Sequence, residues 1–545
     1  MERKFRNFGT MLDLSRNAVM TVESLKKWMD ISKDLGLNQL WMYMEDVYEI
    51  EGHPYFGYGR GRYSKAELKE LDAYASEIGM ELIPCIQTLG HLERIFRWPQ
   101  YAKICDGGNT ILVDDEETYA LIEAMFETVS ECFTTKTIHV GMDEAMMLGR
   151  GKYYDLHGHK DHVEIMMKHM NRVSEIGKKY GYTLLMWSDM LYILSTGEKG
   201  YLLPGCESAQ VQRDVKDLIP NNMELVYWDY YSMNQERIDH IIENHQKITD
   251  KLWFGGSIWT ISGFVPANQY TIDFAKRSFA SCMEHGVKNV ALTAWGDNGA
   301  ECSKFAVLPG LFYASELAKG NTDEADIKAK FEAKFGIAFD DFMLLDLLET
   351  EVEGITSGYL NRNCPNKYVL YNDLFMGLMD TTIPKSMGES YKKMAEKLLP
   401  LCDHPEFGYL FETLQKLCLV VAKKANLGQR IRKAYHSGDK EALKVCVEDA
   451  KATLPLIRDF YQAFRNQWMK ENKPFGFEAQ DARIGGVLMR IEHCISDMEQ
   501  YLAGNIDKIE QLHEELLDIT GKGAVWEEKY MYQLWYDKIV TVSAL

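Results

Sequence analysis

Over its first three hundred residues the chain repeats one phrase. A polar segment of helical period closes on glycine, and an apolar run of strand length follows at once. The phrase appears as Asp34-Leu35-Gly36 before Leu37 to Tyr43, and as Glu77-Ile78-Gly79 before Met80 to Ile86. It returns as Lys179-Tyr180-Gly181 before Tyr182 to Trp187, and as Glu284-His285-Gly286 before Val287 to Trp295. Glycine after a helix is the left-handed cap, because it lacks the Cβ that penalises positive φ. Ser64-Lys65-Ala66-Glu67 reads as a capping box that starts a helix.

The pattern predicts strands near 8–13, 38–44, 81–88, 137–142, 182–187, 223–228, 252–258 and 289–294. It predicts helices near 21–35, 64–78, 115–132, 162–180, 208–218, 234–247, 271–285 and 301–318. Eight strands alternating with eight helices predict an α/β fold, a (β/α)8 TIM barrel, which typically needs ~250 residues. A doubly wound open sheet is the competitor, and no GxGxxG follows the first strand to support it. Gly57-Tyr58-Gly59-Arg60-Gly61 follows the second strand without that spacing and reads as an ordinary loop. From about residue 320 strand signals vanish, and helices are expected near 322–334, 387–399, 408–435, 439–452, 454–471, 482–503 and 505–518. The expected division is a barrel over 1–320 and an all-α region over 321–545.

The formal net charge of -20 argues against nucleic acid or an anionic membrane as partner, since phosphate binding needs clustered cations. Eleven scattered cysteines without a CxxC pair fit a reducing compartment. Met1-Glu2-Arg3-Lys4-Phe5-Arg6 has no apolar segment behind it, so no signal peptide is expected. No apolar run approaches the ~20 residues of a membrane span. These features together predict a soluble cytoplasmic protein.

The expected strand ends carry the chemistry. Thr137 to Val140 is an apolar run that soon meets two adjacent carboxylates, Asp143 and Glu144. An isolated acid pair is usually a solvated strand end. Here the other strands end on Asp13-Leu14-Ser15-Arg16, Glu45-Asp46, Gly90-His91, Trp187-Ser188-Asp189, Trp228-Asp229-Tyr230, Ile258-Trp259 and Trp295-Gly296-Asp297. A single tryptophan in a barrel is more often packing, but four at four successive strand ends suggest more. Tryptophan faces pack on the C–H faces of pyranose rings, while carboxylates and arginine take hydroxyls by charge-assisted hydrogen bonds. A sugar site follows from these residue types.

The ordered set from Leu12 to Arg16, with Gly90-His91, His139 to Glu144, Trp187, Trp228 and Trp295 to Asp297, resembles the β-N-acetylhexosaminidases of glycoside hydrolase family 20. The resemblance covers about 8–318. Members usually carry an α+β domain before the barrel. This chain starts almost on strand one, so it is similar to small bacterial intracellular-type members that lack that domain. The resemblance implies exo-acting, substrate-assisted, retaining hydrolysis of terminal β-GlcNAc or β-GalNAc. Such enzymes are exceptions to the general two-carboxylate scheme. It implies Glu144 as acid and base, and ionised Asp143 holding the substrate acetamide. It implies Arg16 and Asp297 at the outer hydroxyls, Asp46 and His91 behind the acid pair, and Trp187, Trp228 and Trp295 as walls. No metal or other cofactor is implied, although His157, His159 and His162 have metal-like spacing in a polar loop. The expected partners are glycans ending in N-acetylhexosamine, with a homodimer in view for the large helical region.

Three positions depart from the family pattern. Met142 stands where glycine is usual, and Asp297 where glutamate is common. The tyrosine expected after strand seven is replaced by Ile258-Trp259-Thr260, leaving Tyr230 or Tyr227 to serve. Two alternatives stay open. One is a conventional retaining glycosidase with a second strand-end acid such as Asp297 as nucleophile. The other is a catalytically silent glycan-binding barrel. The aromatic connection Phe475-Gly476-Phe477 is expected either to dock the helical region on the barrel or to reach an active-site mouth.

Overall fold

The computed structural model describes residues 4–197, 209–350, 364–519 and 535–544. The chain divides into two compact units. One comprises 1–258, 270–295 and 310–323, and the other 259–269, 296–309 and 324–545. The segments that leave the seventh and eighth barrel strands thus group with the helices of the second unit.

The first unit is a closed parallel barrel. Its strands are β1 (Asn7–Asp13), β2 (Gln39–Glu45) and β3 (Glu81–Ile86). A two-stranded hairpin, β4 (Cys105–Gly107) and β5 (Thr110–Ile111), interrupts the series. The barrel resumes with β6 (Thr137–His139), β7 (Thr183–Trp187), β8 (Met223–Trp228), β9 (Leu252–Ser257) and β10 (Asn289–Ala294), which pairs with β1. All eight expected strands form. Gly36, Gly79, Gly181 and Gly286 adopt positive φ, as the repeated phrase requires. Ser64 and Glu67 form the expected capping box.

Two expectations for this unit are corrected. β6 stops at His139 because Gly141 and Met142 turn left-handed at φ 71° and 72°, which ends the ladder. The helix expected near 208–218 is not found over its described part, where only a 3-10 turn forms at Lys216–Leu218; residue 208 lies outside the described residues. A helix starts instead directly after β7, at Asp189–Thr196, burying Met190, Leu191 and Tyr192.

The barrel interior is aromatic. Trp41 on β2 meets Trp253 on β9 at 5.5 Å and His139 on β6 at 5.7 Å, ring to ring across the lumen. His139 lies 4.4 Å from Trp187, and Trp187 lies 6.1 Å from Trp295. Large rings fill the space that branched aliphatic layers usually occupy.

The second unit is helical. Helices Glu324–Phe335 and Met387–Leu398 form close to expectation. The stretch 408–435 divides into Gly408–Lys424 and Leu427–His436. The two helices expected on either side of Thr453 are one, Lys440–Glu471, which runs through Pro455. Thr453 and Ile457, buried on either side, hold it continuous despite the missing N–H. The helix expected over 505–518 is absent beyond a 3-10 turn at Glu510–His513. There Arg432 takes the carbonyls of Leu512 and Glu514, and the Tyr435 hydroxyl accepts the Ile509 N–H. These tertiary bonds replace helical ones. Among the described residues no helix is long and apolar enough to cross a membrane.

The aromatic connection is used within this unit. Gly476 takes a left-handed turn, and Phe477 packs on Tyr461, Phe464 and Trp468 at 5.5–5.8 Å between centroids. Phe475 stays exposed. Phe477→Ala should therefore lower stability by about 3–5 kcal/mol, as truncation of a buried phenylalanine does. Chemical denaturation of the full chain measures this, and an unchanged midpoint would remove Phe477 from that core.

Candidate active site

Side chains on a strand alternate faces, so every second residue shares one side. On β2 this puts Tyr43 on the face of Trp41; the ladder shifts register between Tyr43 and Glu45, and the Tyr43 hydroxyl donates to Glu45 Oε1 at 3.0 Å. β7 ends at Trp187, and Asp189 follows as the first residue of the next helix. The interior face therefore changes from aromatic to carboxylate at the C-terminal strand ends, where barrel enzymes hold their chemistry.

Asp143 is the centre of this polar layer. His91 Nε2 lies 3.1 Å from its Oδ2, and the Gln87 amide donates to Oδ1 at 2.9 Å. Burial opposes the charge, but the His91 cation and the two hydrogen bonds outweigh it and hold the carboxyl below its ordinary value. His91 is the mirror case. Burial opposes its charge, and Asp143 outweighs that, raising the imidazole to about 10. The two groups form a buried ion pair. His91 also approaches Glu144 Oε2 at 3.6 Å. Glu144 differs from its neighbour in having a half-exposed side chain, and its backbone N–H donates to Asp189 Oδ2 at 3.0 Å.

A second cluster adjoins the first. Arg16 Nη1 pairs with Asp13 Oδ2 at 3.3 Å and with Glu45 Oε1 at 3.6 Å. Its guanidinium lies 5.1 Å from the rings of both Tyr43 and Trp295. Burial raises Glu45 to about 7 despite Arg16. Burial, with the Asp143 charge beside it, raises Asp189 to about 7. His139, deep in the barrel, is pushed down to about 3 by burial and stays neutral.

The backbone at these positions is strained. Glu45, His91, Met142 and Glu144 all have left-handed φ, at 49°, 54°, 72° and 48°. Non-glycine residues rarely adopt it, and such strain persists where the surroundings over-determine it.

The expected site residues Arg16, His91, Asp143, Glu144, Trp187, Trp228, Tyr230 and Trp295 come together in this unit. Trp228 stacks on Tyr230 at 5.1 Å, and Tyr230 meets Trp295 at 6.3 Å. Tyr227 faces the other way, between His245 and Phe254, with its hydroxyl on Asp229. Asp46 is corrected. It pairs with Arg60 at 3.0 Å, and Glu45, one residue earlier and on the opposite face, stands by Arg16 and His91. Trp259 and Asp297 lie in the segments that group with the helical unit. Glu45, Gln87 and Asp189 were not among the expected site residues. Place at a strand end was the signal for Glu45 and Asp189, since the β2 ladder shifts register before Glu45 and Asp189 begins a helix. Gln87 has none, since its role rests on Gly141 lying against it.

A closed parallel barrel with ionised and protonatable carboxylates under an aromatic wall at its C-terminal mouth defines a hydrolase-type site. The chain matches "Glycosyl hydrolase family 20, catalytic domain" over residues 4–250 and "Glycoside Hydrolase 20C C-terminal domain" over residues 340–531. It belongs to glycoside hydrolase family 20. Among similar proteins, hexosaminidase D of Bos taurus is 29% identical over 228 residues, covering 40% of this chain and 61% of that protein. Hexosaminidase D of Homo sapiens is 28% identical over 228 residues, covering 40% of this chain and 44% of that protein. The chain thus spans about half the length of these relatives. The solved β-N-acetylhexosaminidase of Bacteroides fragilis shares 18% identity over 62% of this chain and 72% of its own, with a TM-score of 0.46.

The ion pair has a defined pH window. Asp143, held low, contributes stability above its ordinary ~3.9 and loses it as pH falls through the lowered folded value. His91, raised, contributes fully below its ordinary ~6.5 and loses that contribution as pH rises through about 10. The destabilisation caused by His91→Gln should therefore be largest between roughly pH 4 and 6.5 and shrink toward pH 10. Denaturant midpoints of both chains across pH measure it. A difference that stays flat with pH would dissolve the pair.

Proposed function

We propose that the chain is an exo-acting β-N-acetylhexosaminidase that removes terminal β-linked GlcNAc or GalNAc by substrate-assisted, retaining hydrolysis. The observation that carries this reading is the contrast between adjacent acids. Asp143 is buried and held ionised by His91, whereas Glu144 is half exposed beside it. Two carboxylates with divided environments suit two roles.

In this mechanism the substrate's acetamide oxygen attacks the anomeric carbon. The glycosidic C–O bond breaks as Glu144 gives its proton to the departing oxygen. Asp143 accepts the acetamide N–H and stabilises the positive charge of the oxazolinium. Each Asp143 oxygen already takes one protein contact, and each has a second lone pair to offer. Water then attacks the anomeric carbon, Glu144 takes its proton, and the ring opens with configuration retained. Trp187, Trp228 and Trp295 are read as the walls around the acetamide and pyranose, and Tyr230 as the replacement for the tyrosine missing after the seventh strand. Arg16, held between Asp13 and Glu45, is read as the group for the outer hydroxyls. The barrel of 1–320 is read as the catalytic domain and 321–545 as a helical one.

Hydrolysis of nitrophenyl β-GlcNAc, β-GalNAc and β-glucoside by the full chain tests the reading. Turnover of the N-acetyl sugars without the glucoside is expected, whereas equal turnover of the glucoside would point to the conventional two-carboxylate scheme. Binding of glycans with no turnover of any would mean a silent barrel. Glu144→Gln should lose at least ~10²-fold on leaving groups that need a proton. Near-normal rates in that variant would take the acid role from Glu144.

A further inference from the structure

Asp189 is a buried carboxylate that the mechanism above leaves without a task. Both its oxygens are engaged. Oδ2 accepts the Glu144 backbone N–H at 3.0 Å, and Oδ1 accepts the Trp228 indole N–H at a longer 3.4 Å. Its neighbours Asp143, Glu45 and Asp46 each have a cation at hand, in His91, Arg16 and Arg60. Among the described residues no cation pairs with Asp189, and the Asp143 charge faces it. A buried carboxylate next to another carboxylate, with no counter-ion, works against stability. Packing gives no reason for it.

We propose that Asp189 is a positioning residue for the proton donor, fixing Glu144 and Trp228 relative to one another. The proposal rests on the reading of Glu144 as the acid. The Glu144 side chain is half exposed and approaches His91 at 3.6 Å. The Glu144 backbone sits at φ 48° in the left-handed region. A charge-assisted hydrogen bond from that peptide N–H to a buried acceptor holds the strained turn. Because the same carboxylate takes the Trp228 indole, one residue sets both the acid's peptide and an aromatic wall. A misplacement of about 1 Å at such a site costs on the order of 10²-fold in rate.

The test compares Asp189→Asn with the unsubstituted chain on two N-acetyl-β-glucosaminides. One bears dinitrophenol, which leaves without a proton, and the other phenol, which needs one. Asparagine keeps the shape but can accept only one of the two N–H groups, and it removes the charge facing Asp143. The expected result is a kcat on the phenyl glycoside reduced at least ~10-fold more than on the dinitrophenyl glycoside, with a melting temperature equal or higher. A merely structural role would lower the melting temperature and reduce both rates alike, and that result would overturn the proposal. Should Asp189→Asn not fold, Asp189→Glu keeps the charge and shifts it by one methylene. The same leaving-group-selective loss is expected there, and an equal loss on both glycosides would overturn the proposal. Glu144→Gln in the same assay separates the two failures. If it shows no leaving-group selectivity, the acid assignment falls and this proposal with it.

Discussion

A carboxylate has to stay charged where water is largely excluded, and the mouth of the barrel is built around that demand. Asp143 meets it through His91 and Gln87, and each contact depends on a glycine. A Cβ on Gly90 would lie 2.5 Å from the Asp143 carbonyl oxygen, so only glycine lets the 90–91 turn come close enough to set the imidazole on the carboxylate. A Cβ on Gly141 would lie 1.8 Å from Gln87 Oε1, and the backbone there is left-handed as well. Gln87 then spends its amide protons on Asp143 and the Tyr43 hydroxyl, and its oxygen on the Met142 N–H. The polar layer is thus locked from strand to strand, with Tyr43 passing the chain of hydrogen bonds on to Glu45.

Four buried or half-buried acids in this small volume end up different from one another, and environment makes them so. Asp143 has a cation in contact and falls below its ordinary value. Glu45 has a more distant one and rises to about 7, whereas Asp189 has none and rises to a similar value. Glu144 keeps its side chain half in solvent. The proposed mechanism asks for one carboxylate ionised and another ready to exchange a proton, and this separation supports it, since like acids in like surroundings would titrate together.

The barrel was legible because its signals are local. Each glycine cap and each apolar run declares itself within a few residues, and the eight strands followed. The acid pair, His91 and the aromatic wall were legible as strand-end residues. Asp46 shows where this stops. Choosing between adjacent acids needs the register of the strand end, where the ladder shifts between Tyr43 and Glu45, and no local pattern shows that shift. Gln87 was not legible, because it matters only through Gly141, 54 positions away in the chain and in contact only after folding. The helix expected near 208–218 and the one over 505–518 failed for the related reason that local periodicity says nothing of tertiary hydrogen bonds, such as those Arg432 makes to the second stretch.

Met142 bears on whether a departure from a family pattern signals a lost function. The resemblance leads one to expect glycine before the first acid, and the position sits at φ 72°, where glycine is favoured. An L-residue in that conformation costs about 1–2 kcal/mol. The Met142 side chain is fully buried, and burying a methionine contributes about 1.5–3 kcal/mol. The two magnitudes are comparable, so the larger residue can hold the same turn without a net penalty. Its N–H reaches Gln87 Oε1 at 3.3 Å, which keeps the amide aimed at Asp143. Met142 exchanges backbone freedom for side-chain burial at the turn that leads into Asp143 and Glu144.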